Sequence, residues 1–236
     1  METFTYTPTG GYQGFDSFTY LASDSAGAIA ETEVLLRVAP VNGGLILAAE
    51  EQVAGVYLGL LARAADFDGF MYWDQQIYSG AAIRGVAGAI GGSAEAKAGS
   101  PFLANPSGAT DAQIGDFVDS IYTNLFERTA DAAGKAYWVN QVKQATAANQ
   151  APGAVVADII SGARDGGGYQ DVTTLLSKVL VSLHSVEHQL LIDTSIVDLT
   201  SARALVDAVT STQESVLTGL KTAEMLVFAP AGTVPI

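Results

Sequence analysis

One helix-turn-helix phrase is written twice in this chain, and that duplication constrains its fold more than any other feature. The first copy reads Tyr57-Leu58-Gly59-Leu60-Leu61-Ala62-Arg63-Ala64-Ala65-Asp66-Phe67-Asp68-Gly69-Phe70-Met71-Tyr72-Trp73. The second reads Tyr122-Thr123-Asn124-Leu125-Phe126-Glu127-Arg128-Thr129-Ala130-Asp131-Ala132-Ala133-Gly134-Lys135-Ala136-Tyr137-Trp138. Tyr, Leu, Arg, Asp, Gly, Tyr and Trp recur in register, and Ile77 and Val142 continue the apolar face of each copy. Both tryptophans of the chain fall in this pattern. Such self-similarity is the mark of an internal duplication, so the chain is expected to build two like helical units.

The phrase can be read residue by residue. Tyr57 and Tyr122 lie on helices that end near Arg63 and Arg128, where an arginine in the last turn meets unsatisfied carbonyls. Asp66 and Asp131 are the N-caps of the following helices and face the arginine three positions earlier. Gly69 and Gly134 sit at N3, where a capping box would place Glu or Gln; glycine there allows close approach of the preceding helix. Trp73 and Trp138, one turn on beside Tyr72 and Tyr137, cover that approach with apolar area. The same arginines, aspartates and aromatics could line a sugar or ligand site. Each, however, has a simpler use in the helix corner, and the set is read as a structural motif.

Around the motif the periodicity is helical from about residue 45, with helices expected over 49–62, 67–78, 82–90, 112–126, 132–146, 152–162, 169–191, 201–209 and 213–227. Gly91-Gly92, Ser100-Pro101, Asn105-Pro106-Ser107-Gly108, Ala151-Pro152-Gly153 and Gly166-Gly167-Gly168 break the pattern, and 99–110 is the expected internal boundary. Asp111 is a further expected N-cap. Val172, Leu176, Val179, Leu183, Val186 and Leu190 form the stripe of a core helix with one buried face, which Leu175, Leu180 and Leu191 widen.

Residues 1–40 follow another rule. Phe4 and Tyr6, then Phe18 and Tyr20, alternate with threonines, and Glu31–Val38 is a third strand-like run. Three strands are too few for a sandwich, so the segment is either a β appendage of the helical part or the tail of a truncated domain. The fold class is therefore mainly α: a multi-helix domain with a duplicated helix-turn-helix unit and a short N-terminal β segment. The expected organisation is a β segment over 1–42, a helical domain over 45–192 with units near 50–98 and 115–163, and a helical extension over 193–236.

Charge narrows the function. The 236 residues carry a formal −14, from 25 acidic and 11 basic side chains. Phosphate neutralisation needs a basic face, so nucleic acid is not an expected partner, and the same charge opposes docking on an acidic membrane. The surplus does leave room for cations such as calcium. Without cysteine there are no disulfides, thiol catalysis or thiolate metal sites. No apolar run of about 18 residues predicts a membrane span. Met1–Thr9 lacks the basic and apolar regions of a cleavable signal peptide, so secretion would use another signal.

Two resemblances extend this reading. Phe4-Thr5-Tyr6-Thr7-Pro8, Gly14-Phe15-Asp16-Ser17-Phe18-Thr19-Tyr20 and Ser23-Asp24-Ser25-Ala26-Gly27 look like the closing half of a cadherin-like repeat of giant bacterial adhesins. Such repeats commonly end in Val-x-Pro-Val-Asn-Asp; this chain has Val38-Ala39-Pro40-Val41-Asn42-Gly43, without the final Asp that contributes to junction calcium. A calcium role for Asp16, Asp24 or Asn42 is correspondingly weak. Second, Arg-x-x-Asp-x-x-Gly-x-x-Tyr-Trp, over roughly 45–165, resembles the bacterial DUF4214 family, which occurs mainly in large secreted and surface proteins. Leu176–Ser182, Asp198–Arg203 and Val209-Thr210 resemble the tail that often follows that domain. The family's helical architecture is similar to that of phycobilisome linker domains, which organise assemblies without catalysis. Phe126-Glu127 stands where the family often has Leu-Gly before the arginine.

Reactive constellations are few. His184-Ser185-Val186-Glu187-His188 has the H-x-x-E-H order of inverted zinc metallopeptidases, with two histidines one turn apart and Glu187 as base. A third ligand would have to be a carboxylate such as Asp193, Asp198, Asp207, Glu214 or Glu224, none of which lies in a second motif. Asp66-Phe67-Asp68-Gly69 starts like a calcium loop but has Ile77 where an EF-hand needs Glu. Asp165–Asp171 is glycine-rich, lacks the P-loop lysine and reads as a connector. No G-x-S-x-G elbow exists for a serine nucleophile. The expected function is therefore a non-catalytic structural or interaction module of a large secreted or cell-surface bacterial protein, in adhesion or surface-layer assembly. Its partners would be surface or matrix proteins, glycans or further copies of itself, with no membrane insertion and no required cofactor. A calcium- or carbohydrate-binding accessory module is the alternative, and a zinc peptidase through His184, Glu187 and His188 the third.

Overall fold

The structure is a computed structural model that describes residues 5–7, 14–23, 28–38, 49–166, 168–191 and 199–228. It divides into two compact units, Met1–Ala48 and Ala49–Ile236.

In the first unit β1 (Gly14–Ser23) pairs antiparallel with β2 (Ile29–Val38). The register sets Phe18 opposite Val34 and Tyr20 opposite Thr32. The strand-like run expected at Phe4 and Tyr6 is not realised over the described residues Thr5–Thr7, which join no ladder. Alternation alone forms no strand without a partner edge, and Pro8 cannot donate to one. Asp24 and Asn42, considered for calcium, lie outside the described residues.

The second unit is helical: α1 (Ala49–Leu61), α2 (Phe67–Tyr78), α3 (Ile83–Gly91), α4 (Ala94–Gly99), α5 (Pro101–Ala104), α6 (Asp111–Phe126), α7 (Ala132–Ala147), α8 (Val155–Gly166), α9 (Tyr169–Leu191), α10 (Leu199–Asp207) and α11 (Gln213–Phe228). The duplication is visible as α1-α2-α3 and α6-α7-α8. The leading helices α1 and α6 pack on each other and on α9 to form the centre. Val53, Val56, Leu58, Val118, Ile121, Leu125, Leu175 and Val179 fill it. α1 is buried on nearly every side, as a central helix must be. Gly55 and Gly59 are its approach points: a Cβ on Gly59 would lie 2.3 Å from Val156, and one on Gly55 3.1 Å from Ile160. The small face of α1 thereby admits α8. α11 covers α9, with Gly219 against Val181.

Several expectations change here. Segment 99–110, between the two repeated units, has structure of its own: the end of α4, the whole of α5 and a 3-10 turn at Pro106–Gly108 occupy it, and Phe102 and Leu103 join the core. Short helices leave no periodicity to read. Their caps were present, Ser93 accepting from Ala96 and Ser100 from Leu103, with Pro101 at N1. Asp111 is not the N-cap of α6. Thr110 is, in a complete capping box with Gln113, and Asp111 becomes the first helical residue.

α9 also departs from a helix with one buried face. Val179 and Val186 of the apolar stripe are buried, while Val172, Leu176 and Leu183 are half-buried. A second stripe one position back, Asp171, Thr174, Lys178, Ser182, Ser185 and Gln189, is buried and polar. Its purpose lies at the two corners.

Candidate functional site

Each α1-α2 or α6-α7 corner begins with a helix that must stop and turn. Ala62 and Glu127, at equivalent places, take left-handed backbone conformations with φ of 51° and 58°. This is the C-terminal position where glycine is preferred, since a Cβ there costs about 1–2 kcal/mol. Ala62→Gly is therefore expected to raise stability by about 1 kcal/mol. Glu127→Gly is expected to lower it, because Glu127 pairs with Lys178, 1% exposed, whose Nζ also donates to the Asn124 carbonyl at 2.9 Å. Urea denaturation of both variants checks the opposite signs.

The turn carries both arginines just beyond their helices, not in the last turns as expected. Arg63 donates through Nε and Nη2 to the two oxygens of Glu95 at 2.8 and 2.9 Å. Its Nη1 donates to the Ala64 carbonyl at 2.9 Å and to Asp66 Oδ2 at 3.1 Å. Arg128 repeats the fork: Nε and Nη2 donate to Asp171 at 2.8 and 2.6 Å, and Nη1 to the Thr129 carbonyl at 3.0 Å. Such planar bidentate pairing is what a guanidinium provides and a lysine cannot. Each guanidinium also lies over its tyrosine ring, Tyr57 at 5.2 Å and Tyr122 at 5.3 Å. Arg63 is held in its charged form by Glu95 and Asp66, which outweigh its burial.

Glu95 and Asp171 are the residues that sequence reasoning missed. Each lies in the first turn of the helix after its unit's third helix, α4 and α9 respectively, where an acid also meets the positive helix end. The common placement of an acid after α3 and after α8 was the available signal. Asp171, read as part of a connector, is thus a structural anchor.

Asp66 and Asp131 cap as expected. Asp66 Oδ1 accepts from the Gly69 N–H at 2.9 Å, and Asp131 Oδ1 accepts from Ala133 and Gly134 at 3.1 and 2.9 Å. Those amides hold the Asp131 carboxyl below the usual carboxylate range. The two glycines differ. A Cβ on Gly69 would lie 2.4 Å from the Tyr57 hydroxyl, whereas on Gly134 it would be an ordinary 3.6 Å from that of Tyr122. Burial raises the Tyr57 phenol, with Asp66 adding to the effect, so this hydroxyl stays protonated in its tight site. Gly69→Ala is expected to lose about 1–3 kcal/mol through overpacking. Gly134→Ala should be neutral or gain up to about 1 kcal/mol from helix propensity. Thermal melts of the two single variants decide it, and equal losses would contradict the close approach.

Of the aromatics, Trp138 Nε1 donates to the Tyr122 hydroxyl at 3.0 Å, and the ring covers Gly162 of α8. Tyr72 and Tyr137 are exposed and stand edge-on to Trp73 and Trp138 at 4.8 and 4.9 Å. The polar stripe of α9 serves both corners: Asp171 and Lys178 hold the second, while Ser182 and Gln189 accept from the Ala65 and Phe67 amides of the first.

The imidazoles of His184 and His188 meet edge to face at 5.7 Å. Among the described residues no three His, Cys, Asp or Glu side chains gather around a common point. Asp193 and Asp198 lie outside those residues, and so does the side chain of Glu224. Asp66, the head of the calcium-like stretch, is committed to Arg63 and Gly69. No helix among the described residues is long and apolar enough to cross a membrane.

Residues 94–151 match the family described as Domain of unknown function (DUF4214), and residues 1–37 match the family described as Bacterial Ig domain. The chain is thus similar to the DUF4214 family over that stretch of its helical part and to bacterial Ig domains over its N-terminal stretch. The second unit is helix-rich over its described residues. The matched helical span contains the second corner, and the first corner, outside it, is built to the same plan. Neither the curated proteins nor the solved structures give a match.

Proposed function

We propose that the chain is a structural and interaction module of a large protein on the bacterial exterior, acting in adhesion or surface-layer assembly. One observation carries this reading: both arginines of the repeated motif are held by carboxylates of later helices, so the motif fixes shape. Arg63 is closed off by Glu95 and Asp66, and Arg128 by Asp171. The companion Ig-like domain supports an extracellular setting, with other surface or matrix proteins as partners. Calcium enters only as an optional ion of an acidic surface, and melting unchanged by calcium would remove it. The reading is tested by protease shaving of intact producing cells. The module should be cleaved without lysis; protection until the cells are broken would refute it.

A cleft of about 300 Å³ between α3, α7 and α8 favours a second reading, glycan binding. Gln141, Gln144 and Gln150 bring planar amides to it, and Arg84 and Asp158 form an ion pair there. Amides and a fixed ion pair suit sugar hydroxyls. A glycan array on the intact chain, repeated with Arg84→Ala, checks this; binding that ignores the substitution would count against the cleft.

A further inference from the structure

The two corners are built alike but are not covered alike. At the first, Arg63, Ala64 and Ala65 are 4%, 0% and 0% exposed. α10 lies over them: the Ala64 N–H donates to the Ala202 carbonyl at 3.1 Å, and Arg203 comes within 3.8 Å of Glu95. Ala202, Leu205 and Val206 of α10 are buried. At the second corner the side chain of Arg128 remains 42% exposed, and Thr129, in the place of Ala64, is exposed. Among the described residues no backbone carbonyl receives the Thr129 N–H as Ala202 receives that of Ala64.

The charges differ in the same sense. In the first corner Asp66 uses one oxygen on the Gly69 amide and the other on Arg63. In the second, Asp131 uses Oδ1 on both amides, while Arg128 turns its fork to Asp171. Exposed Asp131 therefore presents an anionic oxygen beside an open N–H, with exposed Glu127 on the other side of Arg128.

We propose that the second corner is a docking site for a helix of a partner chain, one with the chemistry of α10: a small residue at the contact, followed by arginine. The first corner shows the mode, in which a close-approaching alanine offers its carbonyl to the corner N–H. Arg203 approaches Glu95 at the first corner; at the second the counterpart Asp171 is buried, so the partner's arginine would reach the exposed Asp131 instead. A different chain is the occupant because α10 is already engaged at its own first corner, and because two copies each carrying −14 repel. This assignment rests on reading the chain as an assembly module and names the surface that does the assembling.

The test follows backbone amide NMR signals of the intact chain on titration with a helix-stapled synthetic peptide spanning Leu199–Val209. Stapling supplies the helix that a peptide this short would not hold. Saturable shifts are expected at Thr129, Ala130 and Asp131. Asp131→Asn, which retains the cap, and a peptide carrying Arg203→Glu should each weaken binding by about tenfold or more. Thr129→Trp, at an exposed site, should abolish it while leaving the melting curve unchanged. Shifts at Ala64 and Ala65 alone would mean that the peptide only displaces α10, and would overturn the proposal. So would binding indifferent to Thr129→Trp, or a dimer of the chain in sedimentation that Thr129→Trp removes. A module cleaved on intact cells whose second corner ignores the peptide loses this assignment and keeps the function proposed above.

Discussion

Replacing Arg63 by Ala is expected to lower the unfolding free energy by about 3–5 kcal/mol, because it empties a buried guanidinium site and strips the partner from two carboxylates at once. Arg63 is 4% exposed and holds Glu95 with two hydrogen bonds, Asp66 with one and the Ala64 carbonyl with another. No small side chain can satisfy three groups at once, and water has little access to replace the guanidinium. Arg128→Ala removes the same fork from Asp171 but at an open corner. The Arg128 side chain is 42% exposed, so water can take the place it vacates beside the buried Asp171, and the loss should be about 1–2 kcal/mol. Urea unfolding of the two variants gives the comparison. Equal losses would mean that the difference in cover between the corners has no energetic weight.

Phe102→Ala is expected to cost about 3–5 kcal/mol, the range for emptying a fully buried aromatic site. Phe102 is 0% exposed and its ring lies 4.9 Å from that of Phe117 in α6. The residue sits in the connector between the two helical units, so the measurement also asks whether those units are independent. A shared core predicts one cooperative transition, shifted as a whole to lower denaturant. Two separate transitions, or a loss below about 1 kcal/mol, would make 99–110 an energetic boundary as well.

Much of this architecture was readable beforehand because it is local. Capping needs an acceptor within three residues of the donor, so Asp66 and Asp131 declared their roles in the order of letters. The spacing of apolar residues placed the larger helices, since periodicity is a property of consecutive positions. The same reasoning failed where several local solutions were open. Asp111 looked like a cap, but Thr110 with Gln113 formed the better one. Gly69 and Gly134 read identically, yet the preceding tyrosine hydroxyl stands closer to the first.

The partners of the motif were not readable. Glu95 and Asp171 lie 32 and 43 residues beyond the arginines they bind, and nothing between them encodes the distance. The buried polar stripe of α9 was hidden for a related reason. Periodicity tells which residues share a face, but not what meets that face. Lys178, Ser182 and Gln189 lie off the apolar stripe, and the corners they serve account for their burial.

The sequence alone determined that there are two corners of one design, with their caps and their arginines. Tertiary structure decided that α10 closes the first and leaves the second open. Capping and turning are settled by atoms a few bonds apart. Cover depends on which distant helix arrives, and the single-chain path brings one helix to one corner only.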